Sequence, residues 1–233
     1  MLEPSLQSHG PDQSVPLRRP TGGAEALPDL LLIERARAGD ERAVEALIRR
    51  YSRRLFRVAR SVLVDDEQAE AAVVEAYLAA FSDLNRYEPT GKFAAWLTRL
   101  AFSQARALRA SMRTGSTGHG LQTQSAADPT EVERHELEQA IARLPEVFRT
   151  VFVLRVLEGI SGIETAACLG LHETTVRTRL FRAHRRLTPE ARQRLRASPA
   201  ALEVRAERIE HIVSRALAQL PHGSMLRICA SAP

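Results

Sequence analysis

Residues Leu144 to Leu187 read LPEVFRTVFVLRVLEGISGIETAACLGLHETTVRTRLFRAHRRL, and this stretch decides the fold. Ser161 is placed to cap a short helix that ends near Cys168. Leu169-Gly170-Leu171 follows as a turn, with Gly170 free to take a positive φ. A second helix is predicted from about Glu173 to Leu187. Helix, glycine-containing turn and helix form the arrangement whose second helix enters the DNA major groove.

That second helix has two distinct faces. Val176, Leu180 and Ala183 are spaced by four and three and point to a core. Thr174, Thr175, Arg177, Thr178 and Arg182 lie off that stripe. Arg177, Arg179, Arg182, Arg185 and Arg186 stand against one acid, Glu173. Guanidinium groups at this density neutralise phosphates, and Arg and Thr side chains near the helix start can read base edges.

Outward from this block the chain reads as all-helical, in two small helical units. Residues 1–27 contain prolines and glycines with no apolar period and read as a disordered tail. Residues 28–112 form a first helical unit. Asp40 is placed to cap a helix from Glu41, whose apolar face runs from Val44 through Leu47, Tyr51, Leu55 and Val58 to Val62. Asp65-Asp66 is placed to cap a second helix, and a third is predicted from Phe93 to about Ala110. Residues 113–130 are rich in Gly, Ser and Thr and read as a flexible linker whose ends average roughly 20–25 Å apart. Residues 131–188 hold the second unit and 189–233 an extension. Within the extension, 199–220 is predicted as one amphipathic helix with Ile209, Ile212, Val213, Ala216, Leu217 and Leu220 on one stripe. Pro221-His222-Gly223 is its expected stop. Such a stripe needs something to pack against, and docking on the DNA-binding unit is one reading of it.

Composition narrows the function. The chain has 233 residues, 33 basic and 28 acidic, and Lys92 is the single lysine. The net charge of +5 permits nucleic-acid binding without requiring it, so the placement of charge carries the argument. Two cysteines, Cys168 and Cys229, exclude a disulfide scaffold and a four-cysteine zinc site. No apolar run approaches the ~20 residues of a membrane span, and the expected compartment is the cytoplasm. His119, His135, His172, His184, His211 and His222 are scattered without paired carboxylates, so no catalytic residue, cofactor or metal ligand is assigned. Cys168 reads as a small core residue, and the spacing of Phe93 and Trp96 is that of a core face.

The motif Leu144-Pro145, Arg149, Leu154-Arg155, Glu158-Gly159, Ser161, Glu164, Ala166, Leu169-Gly170, Thr175-Val176, Arg179-Leu180 and Arg182-Ala183 resembles the C-terminal DNA-binding domain of bacterial RNA polymerase sigma factors of the extracytoplasmic-function (ECF) group. Three positions depart from that pattern. His172 replaces the usual N-cap, Thr165 a larger aliphatic residue, and Ile163 a common Glu. Residues 31–110 resemble the sigma domain that binds core polymerase and opens the downstream promoter element, through Ala38-Gly39-Asp40, Tyr51, Leu55, Ala69-Glu70, Glu75, Phe81, Arg86-Tyr87, Phe93, Trp96-Leu97 and Leu100-Ala101.

The resemblance implies a sigma region 2-like bundle, a region 4-like helix-turn-helix, and a factor that directs promoter-specific initiation without being an enzyme. Its implied partners are promoter DNA, core RNA polymerase through the β′ clamp and β flap, and an anti-sigma or other regulatory protein. Arg53, Arg57, Glu70, Val74 and Glu75 are the implied polymerase contacts. Arg86, Trp96, Arg99 and Arg106 are the implied contacts to the downstream element and its single strand. The family's usual Asp, Gln, Asn and Asp are here Ala71, Val74, Ser103 and Ala107. These losses keep a second reading open, in which a sigma-like DNA- or protein-binding regulator no longer engages core polymerase in the usual way.

Overall fold

In the computed structural model, residues 27–63, 65–88, 92–114, 129–197 and 202–220 are described. The predicted tail up to residue 26, most of the predicted linker and the stop at Pro221 lie outside them. Among the described residues, ten α-helices follow one another: α1 Asp29–Arg37, α2 Glu41–Val62, α3 Asp66–Ser82, α4 Phe93–Thr114, α5 Pro129–Ala142, α6 Glu146–Phe152, α7 Gly162–Leu169, α8 Glu173–Arg186, α9 Pro189–Ala197 and α10 Ala206–Gln219. A short 3-10 turn, Leu84–Arg86, precedes α4, and α6 runs on into a π turn at Val153–Leu157.

Local chemistry sets the helix starts. The Asp40 carboxylate accepts from the backbone N–H groups of Arg42 at 3.0 Å and Ala43 at 3.4 Å, while Arg35 donates to it from α1. That guanidinium hydrogen bond holds the Asp40 carboxyl below its ordinary pKa. Asp65 caps α3 through the Gln68 N–H at 2.9 Å. The α4 helix extends one turn past the expected end, to Thr114, and α5 begins at Pro129, so both edges of the predicted linker are helical.

The first unit packs α1 to α4 around Leu32, Leu47, Ile48, Leu55, Tyr77 and Leu97, all essentially inaccessible. Tyr77 is fully enclosed, and its hydroxyl donates to the Ile48 carbonyl at 2.9 Å beside Ser52. Burial drives its pKa up, since a phenolate there would lose its hydration. The second unit is centred on Leu137, Leu144, Phe152, Ala183 and Leu187.

The extension departs from the single helix expected over 199–220. Its first part is α9, which packs on α5; Leu195 and Leu202 join the second core, and Arg194 pairs with Glu136 at 2.5 Å. Its second part is α10, which does not pack on the DNA-binding unit. Ile212, Val213, Ala216 and Leu220 belong to the first core, against α2 and α3. Because Leu202 is anchored in one core and Ile212 in the other, residues 203–205 bridge between the units without regular secondary structure.

The two units also meet directly. Val58 of α2, Leu154, Ile160 and Cys168 form one buried cluster with Phe102 and Leu169 at its margin. Arg149, 8% exposed, donates from Nε to the Ser61 carbonyl at 2.6 Å and from Nη1 to the Ala142 carbonyl at 2.6 Å. Ser61 Oγ donates to Thr150 Oγ1 at 3.0 Å. The Glu158 carboxylate is nearly enclosed and pairs with Arg57 at 2.8 Å and Arg54 at 3.6 Å.

Candidate nucleic-acid interface

The helix-turn-helix forms as the sequence pattern requires. Ser161 Oγ accepts from the Glu164 N–H at 3.2 Å, and Gly170 ends α7 in the left-handed region at φ 63°. A side chain at position 170 would be strained by that φ, and its Cβ would lie 3.2 Å from Arg99 Nη2. The three positions that the resemblance marked as departures are placed as follows. His172 makes no capping hydrogen bond to the start of α8. Ile163 is 70% exposed, and Thr165 is buried with its hydroxyl unpartnered.

The core stripe of α8 is Val176 and Ala183, buried, with Leu180 partly so. Thr174, Arg177, Thr178, Arg182, Arg185 and Arg186 are exposed; Thr175 and Arg179 are half-buried. The Thr178 hydroxyl donates to its own helix at the Thr174 carbonyl, 2.9 Å away. Arg185 lies over the Phe181 ring at 5.9 Å and Arg186 over Phe148 at 5.5 Å, which fixes both stems while the guanidinium edges stay in water. Among the described residues, no carboxylate pairs with Arg177, Arg179 or Arg182. A shallow groove between α6 and α8 is lined by Val147, Phe148, Thr174, Thr175, Thr178, Arg179 and Arg182. The exposed face of α8 is therefore a strip of cations and hydroxyls on a rigid, internally packed helix.

On the first unit, the residues singled out from sequence fall into two settings. Arg86, Arg99 and Arg106 are exposed. Arg106 lies over Phe102 at 5.8 Å. Trp96 is half-buried against Tyr87, with ring centroids 4.9 Å apart, and Phe93, 5.5 Å away, so core packing uses most of its surface. Glu75 is exposed, whereas Glu70 and Val74 are buried at 4% and 2%. Glu70 is enclosed by Arg208, His211 and Arg215 of α10. Arg53 pairs with Glu203 at 3.0 Å, and Arg57 donates to the Leu202 carbonyl at 2.7 Å. The sequence resemblance implied Glu70, Arg53 and Arg57 as polymerase contacts; the groups that engage them within the chain lie more than a hundred residues later.

Residues 47–114 match Sigma-70 region 2, and residues 134–187 match Sigma-70, region 4. The ECF RNA polymerase sigma factor SigM of Mycobacterium tuberculosis is 30% identical over 168 residues, spanning 71% of this chain and 86% of that protein. The chain belongs to the ECF family of RNA polymerase sigma factors. The RNA polymerase sigma-H factor of Pseudomonas aeruginosa is 29% identical over 175 residues, covering 66% of this chain and 89% of the relative. Among solved structures, CnrH in complex with the cytosolic domain of CnrY aligns with a TM-score of 0.54 and 27% identity, covering 72% of this chain and 97% of that one. This ECF sigma factor directs transcription initiation and is not itself an enzyme. Its first unit is region 2 and its second is region 4. Among the described residues, no helix is long and apolar enough to cross a membrane.

Proposed function

We propose a division of labour in which α8 enters the major groove of the upstream promoter element while region 2 grips core polymerase and the downstream element. The observation that carries it is the exposed strip on α8. Thr174, Thr175, Arg177 and Thr178 lie toward the helix start, where base edges are read, and Arg179, Arg182, Arg185 and Arg186 further along are suited to phosphates. Their cations are held by helix packing and ring stacking rather than by carboxylates, so they meet DNA without first breaking ion pairs.

On region 2 we assign polymerase's β′ clamp to the α2–α3 face bearing Arg53, Arg57, Glu70, Val74 and Glu75. We assign the opened strand to Arg86, Trp96, Arg99 and Arg106. Exposed guanidiniums beside an aromatic cluster supply the phosphate and stacking contacts that single strands need. Region 4 is the part assigned to the β flap. CnrH, a structural relative, is held by the cytosolic domain of another protein, which supports a regulatory protein as a further partner here. The working compartment is the cytoplasm, where polymerase and promoter are found.

Run-off transcription with core polymerase on a library of genomic promoters tests this reading. Discrete starts that depend on the added protein, and that vanish with Arg177→Ala plus Arg182→Ala, are expected. Starts that are insensitive to these substitutions would remove α8 as the promoter reader.

A further inference from the structure

The α2–α3 face assigned to polymerase is already occupied, and its occupant is complementary to it in shape and in charge. The α3 helix, which has no lysine or arginine, turns Asp66 and Glu70 to this face, while α2 presents Arg49 and Arg53; Arg57 is already paired with Glu158 of region 4. A ligand for this face therefore needs cations toward α3, carboxylates toward α2 and an apolar seam between them. Toward α3, Arg208 bonds Glu70 at 2.5 Å and Asp66 at 2.8 Å, His211 Nδ1 lies 2.7 Å from Glu70, and Arg215 stands at 3.9 Å. Toward α2, Glu210 pairs with Arg49 and Glu203 with Arg53. The seam is Ile212, Val213 and Ala216, each buried to 2% exposure or less. Arg208 also lies over the Phe56 ring at 5.1 Å.

We propose that α10 is a cover acting in cis on the polymerase-binding face of region 2, and that core polymerase must displace it to bind. The proposal rests on the assignment of that face to polymerase. The attachment suits the role. The α9 helix fastens the extension to region 4 through Leu195 and the Arg194–Glu136 pair, so a displaced α10 stays tethered near its site and can return when polymerase leaves. A cover that is closed about 90–99% of the time weakens apparent polymerase affinity by about tenfold to a hundredfold.

The test uses the full chain. Ile212→Glu puts a charge into the seam, and Arg208→Glu with Arg215→Glu reverses the α3 contacts while leaving the seam intact, so one variant remains informative should the other fail to fold. Affinity for core polymerase is measured at one stated salt concentration by competition with a housekeeping sigma factor, with circular dichroism as the folding control. Hydrogen exchange across residues 206–219 of the unaltered chain, with and without core polymerase, supplies a readout free of mutation. Folded variants that bind polymerase about tenfold to a hundredfold more tightly, together with loss of protection in 206–219 on complex formation, are expected. Equal affinities with α10 still protected in the complex would overturn the cover and leave polymerase binding by region 2 intact. Weaker binding by the variants would also overturn it, by making α10 part of the gripping surface. No binding by any folded form would overturn the assignment of the face to polymerase, and the cover with it.

Discussion

Arg149→Met removes a buried guanidinium that joins three parts of the molecule. The side chain is 8% exposed, and it donates to the last turn of α2 at Ser61 and to the end of α5 at Ala142, both at 2.6 Å. Burial draws the Arg149 pKa below the usual arginine value, and Arg109 adds repulsion, so holding the charge there has a cost. Hydrogen bonds from charged donors contribute about 1.5–3 kcal/mol each, and a buried carbonyl left without a donor costs a further ~1–3 kcal/mol. Methionine relieves the desolvation and fills much of the volume, leaving a net loss of about 2–4 kcal/mol. With a urea slope of about 2–3 kcal/mol per molar, the midpoint falls by about 1 M. The matched control is Arg109→Met, whose partner is Glu146 and whose side chain is 40% exposed; an exposed pair of that kind is worth ~1 kcal/mol or less. Urea titrations followed by circular dichroism decide the matter. A midpoint for Arg149→Met within about 0.3 M of the unaltered chain, or one matching Arg109→Met, would refute the claim that this bridge ties region 4 to region 2.

Three further outcomes follow from single sites. Asp40→Ala lowers stability by about 1 kcal/mol at neutral pH; because the folded-state carboxyl titrates below its ordinary value, the difference from the unaltered chain shrinks as pH falls below about 4 and is absent where both are protonated, which urea titrations across pH will show or contradict. Burial pushes the Cys168 thiol up to about 11, so in a Cys229→Ser chain at pH 8 its thiolate is scarcer than in the unfolded chain by on the order of a hundredfold, and iodoacetamide labelling slows accordingly; equal native and unfolded rates would contradict the burial. Arg182→Ala flattens the dependence of log affinity on log salt by about 0.9 for a promoter duplex and weakens all sequences alike; an unchanged slope with altered sequence preference would move Arg182 from phosphate to a base edge.

Legibility in the sequence followed the range of the interactions. The α7–turn–α8 unit was readable because each of its signals is local: Ser161 caps its own helix, Gly170 takes its own positive φ, and Val176 and Ala183 sit on one stripe. The starts of α2 and α3 were readable for the same reason, through Asp40 and Asp65. The α9 helix was not, because Ala191 and Leu195, the buried apolar residues among its described side chains, make too thin a stripe to stand out. The stripe on α10 was evident, but its destination was not, since nothing local distinguishes the α2–α3 surface from region 4 as a partner. Glu70 shows the limit most sharply: nothing near it in the sequence signals the cations from α10 that make its burial sustainable.

Ala71, Val74, Ser103 and Ala107, the four positions at which the resemblance implied other residues, do not form one surface in the folded chain. Ser103 and Ala107 are exposed on α4, and Ala71 is half-buried on α3, whereas Val74 is 2% exposed, one turn beyond Glu70. A glutamine amide enclosed at position 74 would need hydrogen-bond partners or cost on the order of 1–3 kcal/mol, while valine asks only for contact. Valine therefore suits the buried position 74 on α3, and it does not by itself argue that polymerase binding is lost. On the exposed face of α4, Ser103 keeps a hydroxyl for hydrogen bonding whereas Ala107 offers no side-chain polar group. On the assignments proposed above, a difference in holding opened promoter DNA would be sought on α4, and one in the accessibility of region 2 at the α3–α10 contact.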